Sequence, residues 1–248
     1  MGINILFHIG RFIGWHREIF KLPENLRMYY RETIRQMYDI GIGSLMIILV
    51  VSFFIGAVTA VQFTYQLQGT MIPSYYIGYI VRDMAIIELA VTFSSIILAG
   101  KVGSNIASEI GGMRQKEHID AMEIMGVNTA SYLVMPKIIA AVCMIPILVS
   151  IAAFVSIGGG FIASTSSGQY SPEEFIEGLR SFFIPWNVCI MYIKSVVFAY
   201  ILTSIAAYQG YFVSGGSIEL GQASTRAVVY GIIVILIADY IIAVLLTG

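Results

Sequence analysis

The chain has 248 residues, 58% apolar and 12% charged, with a formal net charge of -1 and a mean hydropathy of +0.83. That composition lies outside the range of a soluble domain and belongs in a bilayer. The near-neutral balance excludes a nucleic-acid partner, because phosphate recognition needs a concentrated basic face.

The opening stretch MGINILFHIGRF lacks the basic start and cleavage site of a signal peptide, and Leu6 stands where a myristoylation motif needs Ser or Thr. The N-terminus is therefore expected to be retained and unmodified. Residues 1–43 are too broken by charge to cross a membrane. Leu6, Ile9, Ile13 and Phe20 nevertheless recur at roughly helical spacing, with Arg27, Arg31 and Arg35 as a basic stripe beyond. This pattern predicts an interfacial amphipathic helix on the inner surface. A solvated basic leader that only orients insertion is the alternative.

Crossing a hydrocarbon core about 30 Å thick takes about 20 apolar residues. Five segments qualify. Ser44 to Phe63 carries no charge, and Met84 to Gly100 carries Glu88 alone. Leu133 to Ile157 has Lys137 near its start and Pro136 and Pro146, which should bend it. Trp186 to Ala207 contains Lys194, and Ala227 to Leu246 contains Asp239. The expected fold is an all-α polytopic membrane protein, a single domain over 1–248 whose residues 44–248 form the transmembrane region. Gly41, Gly43 and Gly56 on the first span, and Gly221, Ala227 and Gly231 near the last, are small residues that suit close approach in a homodimer.

With the N-terminus inside, eleven of the fourteen Lys and Arg residues fall on the inner side, which predicts a cytoplasmic N-terminus and a periplasmic C-terminus. The outer loop from Gly158 to Ile184 opens with three glycines. Its Ser171-Pro172-Glu173-Glu174 run reads as a helix start, with Ser as the cap, Pro at the first position and acids in the first turn.

Glu88, Lys194 and Asp239 are the ionisable residues deep within spans. Counting 1.5 Å per residue places them about 9 to 13 Å below the outer end. A lone charge there costs at least about 2.5–3.5 kcal/mol, so the three are expected to find one another. Two roles stand open: a clamp fixing the packing of the second, fourth and fifth spans, or the border of a lipid cavity in which Lys194 meets a phosphate.

Residues 109–126, EIGGMRQKEHIDAMEIMG, concentrate six charges: Glu109, Arg114, Lys116, Glu117, Asp120 and Glu123. Gly111 and Gly112 should break the chain, and Met113 to Met125 then reads as a short helix ended by Gly126. Ile119, Met122 and Met125 form one face, and Glu117, Asp120 and Glu123 a neighbouring one. Such a helix suits a groove on another protein. The alternative, a solvated connection lying on headgroups, fits less well with its negative charge and methionine face.

No chemistry of its own is evident. Gly100-Lys101 is not a phosphate loop, since Ser95 and Val102 occupy the required Gly and Ser/Thr positions. No Gly-x-Ser-x-Gly elbow occurs. His8, His16 and His118 are scattered, and Cys143 and Cys189 lack ligand spacing. The expectation is a non-enzyme, with no catalytic residues, no metal and no cofactor on this chain.

The run LAGKVGSNIASEIGGMRQKEHIDAMEIMGVNTASYLVMPKIIA, with the later GGSIELGQASTRAVV, resembles the permease subunit of Mla-type ABC transporters, which move phospholipids between the bacterial inner and outer membranes. The similarity covers about the last 200 residues and departs from the common Val-Thr-Glu-Gln at Gln115-Lys116-Glu117-His118. It implies a single ABC permease domain in the inner membrane, with a coupling helix in the loop 101–132. Glu109, Arg114, Glu117, Asp120, Glu123 and Gly126 would serve contact with a separate ATPase that holds ATP and Mg. It further implies a homodimer, two ATPase copies and a periplasmic lipid-carrying protein of the MCE type. An ion-coupled secondary transporter using Glu88, Lys194 and Asp239 is the competing function, with a passive membrane scaffold behind it.

Overall fold

The computed structural model describes residues 2–20, 26–67, 73, 75–166 and 171–247. Lys21 of the inner basic count, residues 167–170 of the outer loop, and the side chains of Leu6, His8 and Ile9 lie outside the described residues.

Ten α-helices occur among the described residues, and no strand. They begin with α1 (Gly2–Ile19) and α2 (Leu26–Leu67). A composite helix follows: α3 (Tyr76–Met84), a π-helical segment Ala85–Phe93, α4 (Ser94–Leu98), a second π-helical segment Ala99–Gly103, and α5 (Ser104–Gln115). Then come α6 (His118–Ile124), α7 (Thr129–Ser166), α8 (Pro172–Arg180), α9 (Pro185–Tyr211) and α10 (Ser217–Thr247). Five stretches are long and apolar enough to cross a membrane: Arg27–Leu67, Tyr76–Gln115, Thr129–Ser166, Pro185–Tyr211 and Ser217–Leu246. The all-α polytopic expectation therefore holds.

Two boundaries differ from expectation. Residues 1–43 do not form one interfacial element, because Arg27, Arg31 and Arg35 lie on α2. At 1.5 Å per residue α2 is about 63 Å long, so a helix that spans a 30 Å core can also carry charge well beyond it. The glycines 158–160 do not open a loop either, but lie inside α7. A Cβ on Gly159 would stand 2.2 Å from the Phe53 carbonyl oxygen, and one on Gly56 would stand 1.8 Å from that of Ser156. The glycines thus let the backbones of α2 and α7 touch. Gly56 is committed to this contact within the chain and not to a homodimer surface.

The described chain forms two compact units. One comprises Met1–Ile40, Leu98–Met144 and Ala199–Ile235, and the other Gly41–Ile97, Ile145–Phe198 and Leu236–Gly248. The first holds an aromatic cluster in which Trp15, 4% exposed, packs within 6 Å of the rings of Tyr208, Tyr211 and Phe212. In the second, Ala60, Ile77, Val81 and Phe175 form an apolar core. Its α8 starts as the sequence predicts. The Ser171 hydroxyl accepts from the Glu174 N–H at 3.2 Å, and the Glu174 carboxylate accepts from the Ser171 N–H at 3.0 Å. Buried Arg82 closes the far end of α8, donating to the carbonyls of Leu179 at 2.6 Å and Ser181 at 2.8 Å while pairing with Asp83 at 2.7 Å.

Candidate functional site

The second unit contains the intramembrane charges, and it brings all three together. Glu88 sits on the π-helical segment Ala85–Phe93, a helical form that recurs at functional sites. Lys194 of α9 donates to Glu88 Oε2 at 3.0 Å and to the Ile87 carbonyl at 3.3 Å, and its ammonium forms an ion pair with Asp239 Oδ1 of α10 at 2.7 Å. An ammonium has three N–H donors, and three acceptors surround this one. Thr92, one turn beyond Glu88, places its hydroxyl 3.0 Å from Glu88 Oε1 and 3.1 Å from Asp239 Oδ2. Its single proton serves one carboxylate at a time.

Burial separates the members of this cluster. The Lys194 side chain is 0% exposed and that of Asp239 11%, whereas the Glu88 side chain is 41% exposed. Of the two roles left open for Lys194, the clamp between spans fits this enclosed ammonium better than contact with a lipid phosphate. Glu88 is the member that faces outward. Thr92 and the Ile87 carbonyl were missed from the sequence, although the i, i+4 spacing of Glu88 and Thr92 was there to be read.

The first unit contains the charged stretch, and here the helix break lies elsewhere than expected. α5 continues through Gly111 and Gly112 to Gln115, and the chain turns at Glu117, whose φ is 59°. Gly111 serves packing and not a break: a Cβ there would stand 2.5 Å from Leu220 Cδ1. After the turn, α6 is pinned by Ile119, which is fully buried, and ends at Gly126 in the left-handed region with φ 81°.

The acidic face of α6 is largely engaged from within. Arg114 Nη1 lies 2.9 Å from Asp120 Oδ1 and 3.5 Å from Glu123 Oε1. Glu123 also accepts from the Tyr211 hydroxyl at 2.9 Å and the Thr129 hydroxyl at 3.2 Å. Glu109 pairs with the buried Lys137 at 2.5 Å. Of the expected contact residues, Glu117 is exposed and has no ion-pair partner among the described residues. The expected apolar face also turns out to be divided. Ile119 points inward, Met122 is half-buried, and the outward apolar tip consists of Ile124, 88% exposed, and Met125, 71% exposed.

Five apolar spans, a charge cluster shared among three of them, and a short tethered helix presenting an apolar tip define a multi-pass membrane protein. No group of three or more His, Cys, Asp or Glu able to hold a metal ion occurs among the described residues. The family model described as permease MlaE matches residues 33–245, and the chain belongs to that family. It is 33% identical over 215 residues to a probable ABC transporter permease protein of Rickettsia bellii, an alignment covering 87% of this chain and 83% of that one. A probable ABC transporter permease protein of Synechocystis sp. is 33% identical over 222 residues, covering 88% and 82%. The intermembrane phospholipid transport system permease protein MlaE of Haemophilus influenzae is 28% identical over 225 residues, covering 90% and 85%.

Proposed function

We propose that the chain is the transmembrane subunit of an ABC transporter that moves phospholipids between the inner and outer membranes of a bacterium. It lies in the inner membrane with its N-terminus cytoplasmic and its C-terminus periplasmic. It acts as a homodimer with two copies of a separate ATPase subunit, which holds ATP and Mg, and with a periplasmic lipid carrier of the MCE type. Within this reading the Glu88–Lys194–Asp239 cluster ties three spans together and turns Glu88 toward the lipid path.

The observation that carries the reading is the outward Ile124–Met125 tip. A short helix whose acids are held by Arg114, Tyr211 and Thr129 presents two large apolar side chains, an arrangement suited to a groove on a partner. Glu117 beside it supplies a charge for a basic group on the ATPase. The test is ATP hydrolysis by the cognate ATPase, reconstituted with the wild-type chain or with I124D/M125D. Burying an unpaired carboxylate in an apolar groove costs several kcal/mol, so the variant should insert and fold normally yet fail to bind or stimulate the ATPase. Undiminished stimulation by the double variant would remove this tip from the interface. An arginine-to-lysine exchange at Arg114 should weaken coupling less, because it loosens the helix without touching the tip.

A further inference from the structure

The first unit contains a cavity of about 730 Å³ that the intramembrane cluster and the α6 tip do not use. Its walls come from α1, α9 and α10. Two arginines line it, Arg11 from α1 and Arg226 from the first part of α10. Among the described residues neither has a carboxylate within ion-pair distance. The Arg11 guanidinium lies 3.6 Å over the Phe212 ring, a stacking that fixes its plane and leaves the N–H edge to bond outward. Arg226 gives one N–H to Gln222 at 3.0 Å and keeps the others.

The sequence of α9 adds a polar stripe to this wall. Tyr200, Ser204 and Tyr208 follow one another at four-residue intervals, so they share one face of α9, and all three line the cavity together with Gln209. Ser204 is 1% exposed and Tyr208 7%. The remaining wall is mostly isoleucine, valine and phenylalanine. The volume is that of a ligand site. Two cations with no acidic partner among the described residues, hydroxyls in the same wall and an apolar flank match a phosphodiester carrying acyl chains. Basic pockets between spanning helices take anionic headgroups in this way.

We propose that this cavity binds an anionic phospholipid, with its phosphate held between Arg11 and Arg226 and a chain laid along the isoleucine and valine side. Arginine is suited to the task because its planar fork bonds phosphate oxygens in pairs. The site is separate from the Glu88 cluster and does not require that the cavity lie on the transport route.

The full-length chain, held in phosphatidylcholine nanodiscs, is titrated with phosphatidylglycerol while its thermal unfolding is followed. The midpoint should rise at low phosphatidylglycerol fractions, and R11Q/R226Q should need about tenfold more lipid for the same rise. An equal response in wild type and double variant overturns the site. A rise produced by inorganic phosphate and not by phosphatidylglycerol overturns the lipid as its occupant. A rise that follows protein concentration and ignores lipid overturns it too, in favour of a second copy of the chain in the cavity. Should the double variant fail to fold, the wild-type site is read directly. W186F leaves Trp15, whose ring lies 5.9 Å from that of Phe212, as the sole tryptophan. Tail-brominated phosphatidylglycerol should then quench it at about one-tenth the fraction of tail-brominated phosphatidylcholine, and equal quenching by the two refutes the proposal.

Discussion

Replacing Lys194 by Met removes the cation from the centre of the cluster and leaves two carboxylates facing each other across the Thr92 hydroxyl. Breaking a buried pair by removing one partner costs about 3–5 kcal/mol. The Glu88 side chain is 41% exposed and retains solvent, while that of Asp239 is 11% exposed and does not. Most of the cost therefore falls on Asp239, and the lower end of the range, about 3 kcal/mol, applies. For a chain of this length 1 kcal/mol moves the melting temperature by about 2–4 °C, so K194M should melt about 6–12 °C below wild type. Adding D239N should recover most of that loss, because the buried carboxylate is then neutral. The assay is thermal unfolding of the purified full-length protein in one detergent, with co-purified phospholipid measured in parallel. A K194M protein that melts with wild type but has lost its phospholipid would refute the clamp and return Lys194 to direct lipid contact.

Gly158 and Gly159 are neighbours on α7 with opposite expectations. A Cβ on Gly159 meets the Phe53 carbonyl at 2.2 Å and one on Gly158 meets nothing within 4 Å. Gly159→Ala should destabilise by about 1–3 kcal/mol, and Gly158→Ala should be neutral or stabilise by up to about 1 kcal/mol; equal melting temperatures would contradict the close packing of α2 on α7. His16 supplies a pH dependence. Its Nδ1 lies 3.2 Å from the Phe12 carbonyl and its Nε2 is buried with no partner among the described residues, so burial holds the imidazole below its ordinary pKa of 6.5 and the Phe12 bond opposes this in part. The unfolded segment then takes up a proton first, so stability is complete above pH 6.5 and falls as pH drops below it. The protection factors of the α1 amides, that is their exchange rates corrected for the intrinsic pH dependence, should fall between about pH 7 and about pH 5.5 in wild type and less in His16→Asn; identical pH profiles would contradict the buried imidazole.

The spans were legible because burial in lipid demands long apolar runs, and the capped start of α8 was legible because Ser171 and Glu174 satisfy each other's backbone within four residues. The convergence of Glu88, Lys194 and Asp239 followed from depth counting alone. What escaped the sequence depends on neighbours distant in the chain. Nothing local distinguishes Gly111, a helical glycine whose missing Cβ makes room for the side chain of Leu220, from a glycine that ends a helix. Glu117 adopts a left-handed conformation that a glutamate seldom takes, and it does so where buried Ile119 and the Arg114 ion pairs fix the chain on the far side of the turn. The same ion pairs tie the partly exposed Asp120 and Glu123 to Arg114 within the chain, which their three-residue spacing could not foresee. Lys194 was placed at the right depth, but its complete enclosure depends on the π-helical turn that offers it the Ile87 carbonyl.

The most direct measurement of the central claim is transfer of labelled phospholipid from vesicles containing this chain with the proposed ATPase and periplasmic carrier to acceptor vesicles. Transfer should require ATP and Mg, should stop when the I124D/M125D chain replaces wild type, and should be indifferent to a pH gradient. Transfer by the chain alone, driven by a pH gradient and abolished by Glu88→Gln, would contradict the ABC permease and establish an ion-coupled carrier in its place.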